Sequence, residues 1–313
     1  MAAPFTRASL VRGPGVVTYN SHYFYTREGI KLNLASAWDD VSTSLYGVVD
    51  KTKKDVVLKV GLTLWGALEN LGDLFPSSIL NPVVGSSVFP TNDTSLTVTG
   101  RNKDQVLFPN VAITKIANLH LGTDSGIYSA DVEFTALRAN SKNPEDATAY
   151  YDTTAAATFP ESAFAKTNFS RTRWTAAWGT ITGFTSFIGQ AGFDIAWNLK
   201  TTPVTVEGWG TCDMTLDGLE ASCKCVPIGP TGPQIEAQTL TQGSALGALL
   251  SSIPSTASDL TITGGSHSLV LKTPGLISHG YNFDRQALRT GEVEFVSIRG
   301  FSAGVPSAIA TIS

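Results

Sequence analysis

The segment Asp131–Arg138, Asp-Val-Glu-Phe-Thr-Ala-Leu-Arg, returns at Glu292–Arg299 as Glu-Val-Glu-Phe-Val-Ser-Ile-Arg. Both copies alternate polar and apolar side chains, with Val132 and Phe134 matched by Val293 and Phe295. That is the period of a half-buried β-strand. Other echoes keep the same spacing. Leu96–Gly100 returns as Leu260–Gly264, Gly29-Ile30 as Gly192-Phe193, Tyr46–Asp50 as Trp209–Asp213, and Phe5–Arg7 as Phe169–Arg171. Segments repeated in one order at a nearly constant offset read as an internal duplication.

A chain of 313 residues has room for two domains of ordinary size. Only 15% of its residues are charged, below the roughly 25% usual in soluble domains. Gly, Thr and Ser are abundant while Glu and Lys are scarce, so the composition leans towards β-structure. The formal net charge of -4 divides evenly between the halves, and neither offers a basic surface for nucleic-acid backbone. No run reaches membrane-spanning length, and the N-terminus lacks a signal-peptide core. Three cysteines, Cys212, Cys223 and Cys225, do not make a secreted disulfide framework. The expectation is a protein made and assembled in a cytoplasm.

Along the chain, residues 1–15 read as an extended arm, and 16–25 and 29–34 as strands. Tyr46–Asp50 and Val56–Thr63 flank Lys51-Thr52-Lys53-Lys54-Asp55, which predicts a hairpin with a charged tip. Leu64, Trp65, Leu68, Leu71, Leu74 and Phe75 then recur at helical spacing up to Pro76. Leu246, Leu249, Leu250 and Ile253 before Pro254 occupy the corresponding place in the second half. Each half thus reads as strands, one helix and more strands. The predicted class is mainly β, with two tandem antiparallel barrels or sandwiches, each flanked by one α-helix. The first domain spans 1–138 with its arm, a linker spans 139–168, and the second domain spans 169–313 with a C-terminal tail. Ile228–Pro233 is an insertion specific to the second half.

Motifs for catalysis are missing: no P-loop, no His-Glu-x-x-His and no Gly-x-Ser-x-Gly. His22, His120, His267 and His279 lie in separate segments, so a nucleophilic triad could form only through the fold. Cys223-Lys224-Cys225 puts two sulfurs on one strand face, with Cys212 expected across a turn at Asp217-Gly218. A structural zinc site wants four ligands, and small buried hydrophobes are the plainer reading. Lys51, Lys53 and Lys54 could meet phosphate, but Asp50 and Asp55 flank them, as on a solvated hairpin. Asp131 with Glu133, and Glu292 with Glu294, alternate with core residues and read as one face of a sheet rather than an acid–base pair.

Several segments carry a family resemblance. Arg12–Gly15, Tyr46–Asp50, the expected helix after Thr63, Gly85–Phe89, Leu119–Leu121 and Ser129–Leu137 together resemble bacteriophage tail tube proteins. The likeness covers most of 10–138 and, more weakly, 169–300. It implies a β-barrel or sandwich with one helix, assembled into rings that stack into a tube conducting DNA. The duplication departs from the usual single domain, and paired tube-like domains also occur in tail-tip or hub proteins.

The resemblance and the residues together set the expectations. The chain is a structural virion protein and not an enzyme, assembled in a bacterial host cytoplasm, with no cofactor, metal or membrane partner. Its partners are itself, in three-chain rings of approximate six-fold symmetry, with tape-measure and tail-tip proteins and double-stranded DNA in unspecific transit. Asp131, Glu133, Glu292 and Glu294 are candidates for the lumen wall. Lys51, Lys53 and Lys54 are candidates for contact between rings. An adhesin-type carbohydrate-binding β-sandwich and a hydrolase on a β scaffold stand as alternatives from other classes.

Overall fold

Alternating apolar and polar side chains carry most of the chain into antiparallel β-structure. The computed structural model describes residues 15–67, 72, 74, 83–89, 93–100, 103–122, 127–146, 148–155, 159, 173–238, 258–284, 287–297, 301–302, 305–306 and 310–312. The first half supplies β1 (Val16–Tyr19), β2 (His22–Thr43), β3 (Gly47–Ala67), β4 (Leu96–Thr99), β5 (Asp104–Phe108), β6 (Asn110–Leu121), β7 (Ile127–Leu137) and β8 (Asp152–Ala155). The second opens with β9 (Thr175–Trp178), β10 (Ile188–Gly189), β11 (Phe193–Val206), β12 (Gly210–Cys225), β13 (Pro227–Ile228) and a short helix α1 (Gly232–Glu236). It continues with β14 (Leu260–Gly264), β15 (His267–Leu271), β16 (Pro274–Asp284), β17 (Ala287–Ser297), β18 (Phe301–Ser302), β19 (Val305–Pro306) and β20 (Ala310–Ile312).

Twelve strands form one sheet in the order β16-β17-β12-β11-β6-β7-β3-β2-β1-β4-β5-β8, and four form another, β20-β15-β14-β9. Pairings recur between the halves. β3 joins β2 to β7, which pairs with β6; β12 joins β11 to β17, which pairs with β16. Irregularities recur too: β2 breaks register at Ala37/Trp38 and Val41/Ser42, and β11 at Lys200/Thr201 and Val204/Thr205. The strand after each closing pair returns to the small strands, β8 onto β5 and β20 onto β15.

The repeated segment sits at the centre of this arrangement. Phe134 of β7 lies between Val60 of β3 and Ile113 of β6, and Val132 lies between Leu62 and Ile116. Phe295 of β17 lies between Cys223 and Leu276, and Val293 between Cys225 and His279. Both phenylalanines are fully buried in one apolar cluster that runs through both halves. Around Phe295, Trp178 and Phe184 meet it edge-on, with centroids 5.0 and 6.2 Å away. Burying a side chain of this size contributes about 1.5–3 kcal/mol, so the echoed apolar pairs anchor each half.

Three expectations change. The hairpin with a tip at Lys51–Asp55 is instead continuous strand within β3, and the chain reverses through Ser44, Leu45 and Tyr46. The reversal falls where Gly47 takes a left-handed φ of 70°. Lys51 stays extended because it lies opposite Asp40 on β2 and bonds it. A helix from Leu64 does not form there, since Leu64 and Trp65 pair with Thr26 and Tyr25 and continue β3. Cross-strand burial overrides the helical spacing. Leu74 is buried, whereas Leu68, Leu71, Phe75 and the 246–253 counterpart lie outside the described residues. Asp217-Gly218 is no turn but part of β12, with Gly218 opposite Lys200. Within 139–168, β8 is an edge strand, and Ala139 and Ala149 are buried and bonded to each other. The insertion is built as β13 against β10, followed by α1.

Candidate assembly surfaces

The large sheet turns one face to the core, and the other is polar except where Ala112, Leu137 and Leu216 are buried with Val88 and Phe89. Asp131, Glu133, Glu292 and Glu294 all project opposite Val132, Phe134, Val293 and Phe295, so they share the polar face. Neighbours temper their charge. Glu133 pairs with Lys59 at 2.9 Å, and Glu294 with Lys224 at 3.5 Å. Asp131 accepts from the Thr63 hydroxyl at 2.7 Å and the Asn118 amide at 2.8 Å. With Asp194 and Glu220 added, carboxylates still outnumber the lysines Lys59, Lys115, Lys200 and Lys224 on this face among the described residues. Among the described residues this face is net acidic, with charges of both signs. A shallow depression of about 310 Å³ on it is lined by Lys59, Glu133, Thr114, Thr135 and Asn198, whose polar groups largely satisfy one another.

The two halves join by strand pairing. β11 lies antiparallel to β6, with Phe193, Asp194, Ile195, Trp197 and Asn198 opposite Leu121, His120, Leu119, Ile116 and Lys115. Apolar members of the seam face the core, and His120 Nδ1 bonds Asp194 Oδ1 at 2.7 Å on the polar face. That hydrogen bond raises the His120 pKa above its usual 6.5, against a smaller opposing effect of burial. The seam continues a charge-alternating row, Glu294, Lys224, Asp194 and His120, across four adjacent strands. Ser129 stands opposite His120 on β7, so serine, histidine and aspartate do come into one row. Ser129 and His120 share no hydrogen bond, the imidazole being bonded to Asp194, and β6 breaks register between Ala117 and His120.

Beyond the seam, each central strand pair runs on as a projecting arm. The first arm, about residues 38–53, exposes Leu45 (76%) and Tyr46 (77%) at its turn. Lys51 bonds Asp40 at 2.6 Å and Lys54 reaches Asp39 at 3.3 Å, so these candidate contact residues lie on the arm's flank and neutralise its own aspartates. Lys53 lies 5.8 Å from the Tyr150 ring centroid. The second arm ends at Glu207–Trp209 and is held by the first half in three ways. Asp55 accepts from the Thr211 amide at 2.7 Å and from the Thr211 hydroxyl. Gly210 makes room for that carboxylate, since a Cβ there would sit 2.5 Å from Asp55 Oδ1. Arg138 lies over the Trp209 ring at 4.7 Å. A strap, Val83–Phe89, then runs along the edge of β12, with Gly85 and Val88 donating to Leu216 and Met214 carbonyls at 2.7 and 2.8 Å, and Leu216 donating to Ser86 at 2.9 Å. Ser87 donates to Asp213 at 2.5 Å, and Val88, Phe89, Leu216, Ala112 and Leu137 form a second buried cluster.

The cysteines join no site. Cys223 and Cys225 occupy core positions on β12, and burial pushes the Cys225 thiol up to about 12 and Cys223 upwards as well. A buried thiol held neutral is a small hydrophobe. Cys212 donates to the Gly210 carbonyl. No cluster of His, Cys, Asp or Glu suited to a metal occurs among the described residues, nor any helix long and apolar enough to cross a membrane. The features that sequence reasoning missed, the strap, the Asp55 clasp and the His120–Asp194 bond, all join residues distant in sequence. Their one signal is that Asp213 echoes Asp50 and Trp209 echoes Tyr46.

No protein-family model matches the chain, and no curated protein matches it.

Proposed function

We propose that this chain is a self-assembling structural subunit, a phage tail tube protein with a duplicated tube domain, three copies of which close one ring. The observation that carries the reading is the β6–β11 seam. It joins β16-β17-β12-β11 to β6-β7-β3-β2, two four-strand units with like internal pairing and like bulges. Such a junction is heterologous: the edge that each unit offers on one side differs from the edge on the other. Among the described residues, β16 and the distal part of β2 are edges with no further strand, and they are the counterparts of β6 and β11. A second chain can therefore repeat the seam, by strand addition, at both ends.

Six units then make a ring from three chains, wide enough for a duplex about 20 Å across. The shared polar face of Asp131, Glu133, Glu292 and Glu294 lines the lumen in this reading. A weakly acidic, internally paired wall repels phosphate without binding it. Rings stack through the arms, whose exposed Leu45 and Tyr46 need cover. Tape-measure and tail-tip proteins are the partners at the tube ends, and the virion is the place of action. Negative-stain microscopy of purified protein tests the reading: rings or tubes support it, and dispersed single chains at high concentration contradict it.

A further inference from the structure

Side chains at the β6–β11 seam differ in kind from their counterparts on β16 and β2. Measured from the repeated segment, β6 and β16 match residue for residue. Ile113 pairs with Phe134 as Leu276 pairs with Phe295, and Lys115 pairs with Glu133 as Ser278 pairs with Glu294. Each strand carries one extra residue at the same place, Thr114 in β6 and Ile277 in β16. β11 and β2 match as well: Lys200 and Thr201 flank a break in pairing with β12, and Ala37 and Trp38 flank the same break with β3. Trp38 is therefore the counterpart of Thr201, and Val296, next to Phe295, is that of Thr135. At the seam Thr114, Thr135 and Thr201 line the depression of about 310 Å³. All three counterparts are apolar. Ile277 is 46% exposed and Trp38 53%, and Val296 is half-buried. Leu199 and Met214, the apolar side chains of the depression, have Ser36 and Lys51 as counterparts, so apolar character passes to Trp38 and the bulge. Trp38 and Ile277 lie on strands at opposite ends of the eight central ones, about 34 Å apart along the sheet at the usual strand spacing.

We infer that Trp38 of one chain packs against Ile277 and Val296 of a second copy, filling between chains the hollow that the seam leaves open within one. The occupant follows from continuity with the seam, where Trp197 lies opposite Ile116 and Asn198 opposite Lys115. Carried over to β2 and β16, that register sets Leu34 opposite His279 and Ala35 opposite Ser278. It also brings Trp38 to the Ile277 bulge, as Thr201 comes to Thr114 at the depression. The difference in chemistry has a physical reason. Two halves of one chain are held together covalently, so their seam tolerates a polar hollow. Separate chains must offset the freedom lost on association, which takes surplus burial. A central aromatic anchor is the usual source, since such a side chain buries about 150–250 Å². Apolar side chains left exposed at both opposed positions have a use only when a partner covers them. The inference rests on the ring reading for its geometry and adds a side-chain contact that backbone pairing of β16 with β2 does not require.

Sedimentation velocity of the full chain across a concentration series tests the contact. Trp38→Ala and Ile277→Ala change exposed positions, so thermal melting of each single chain should match the wild type. Each variant should raise the concentration at which chains associate about tenfold or more. The double variant should lose little beyond the weaker of the two, because both substitutions remove one contact. Val84→Ala, at a position 60% exposed on the strap, should associate like the wild type. Where the wild type forms three-chain rings, unchanged association in either single variant overturns the contact and leaves the ring reading standing. Losses that multiply in the double variant do the same, as does an equal loss in Val84→Ala. A wild-type chain that stays single at high concentration overturns both.

Discussion

Residue 223 shows how much a single position carries. Cys223 faces Phe295 as Val60 faces Phe134, so the two side chains fill equivalent core places. Cys223→Val should therefore be tolerated within about 1.5 kcal/mol, as volume-conserving apolar exchanges usually are. Cys223→Ser should cost about 1–3 kcal/mol by burying a hydroxyl with no partner. Urea unfolding of the two variants measures the difference, and a serine as stable as the wild type would contradict it. His120 gives a pH test. Its folded pKa is raised chiefly by the bond to Asp194, so folding favours the protonated ring. That contribution is complete below the ordinary 6.5 and is lost as pH rises through the higher folded value. Thermal stability should fall across that window in the wild type, and His120→Gln should flatten the fall. For Cys223 and Cys225 the plainer reading, small buried hydrophobes, was available in the sequence, whereas the turn expected to bring Cys212 to them was not there. The His120–Asp194 bond was not, since nothing local in either strand announces a partner 74 residues away.

At the scale of elements, the arms decide most. Asp55 holds the second arm through the Thr211 amide, and a hydrogen bond to a charged group is worth about 1.5–3 kcal/mol. Asp55→Ala should speed exchange of the Thr211 amide about tenfold or more, while amides in the β3–β7 ladder keep their rates. Equal rates at Thr211 would show that the clasp carries no weight. Charge reversal of Lys51 and Lys54 alone sets like charges against Asp40 and Asp39 and so disturbs the arm itself. Exchanging both members of each pair keeps the arm, since exposed pairs are worth only about 0–1 kcal/mol. If the flank sets ring register, the exchanged variant should fold normally and grow shorter tubes, as particle lengths in micrographs would show. Tubes of normal length would place the register elsewhere. The strands were legible wherever alternation was strict, as at Val132–Phe134 and Val293–Phe295. The reversal at Leu45-Tyr46 was not, because apolar residues at an exposed turn look like core. Leu64 and Trp65 misled for the converse reason: spacing by three and four along a strand end mimics a helix until the cross-strand partners are known.

For the whole molecule, the account's centre is that one chain holds two ring positions. Repeated order and spacing in the sequence support it, and the recurring strand pairs and bulges support it independently. What the sequence left open was how the halves meet. Strand addition along β6 and β11 uses backbone groups that every residue carries, so it writes no motif. In the proposed ring the same seam recurs between chains, β16 of one against the distal part of β2 of the next. Native mass spectrometry of purified rings, joined to symmetry analysis of their top views, tests this most directly. The account predicts three chains per ring, true three-fold symmetry and six similar lobes around the lumen. Six chains per ring with twelve lobes would contradict it.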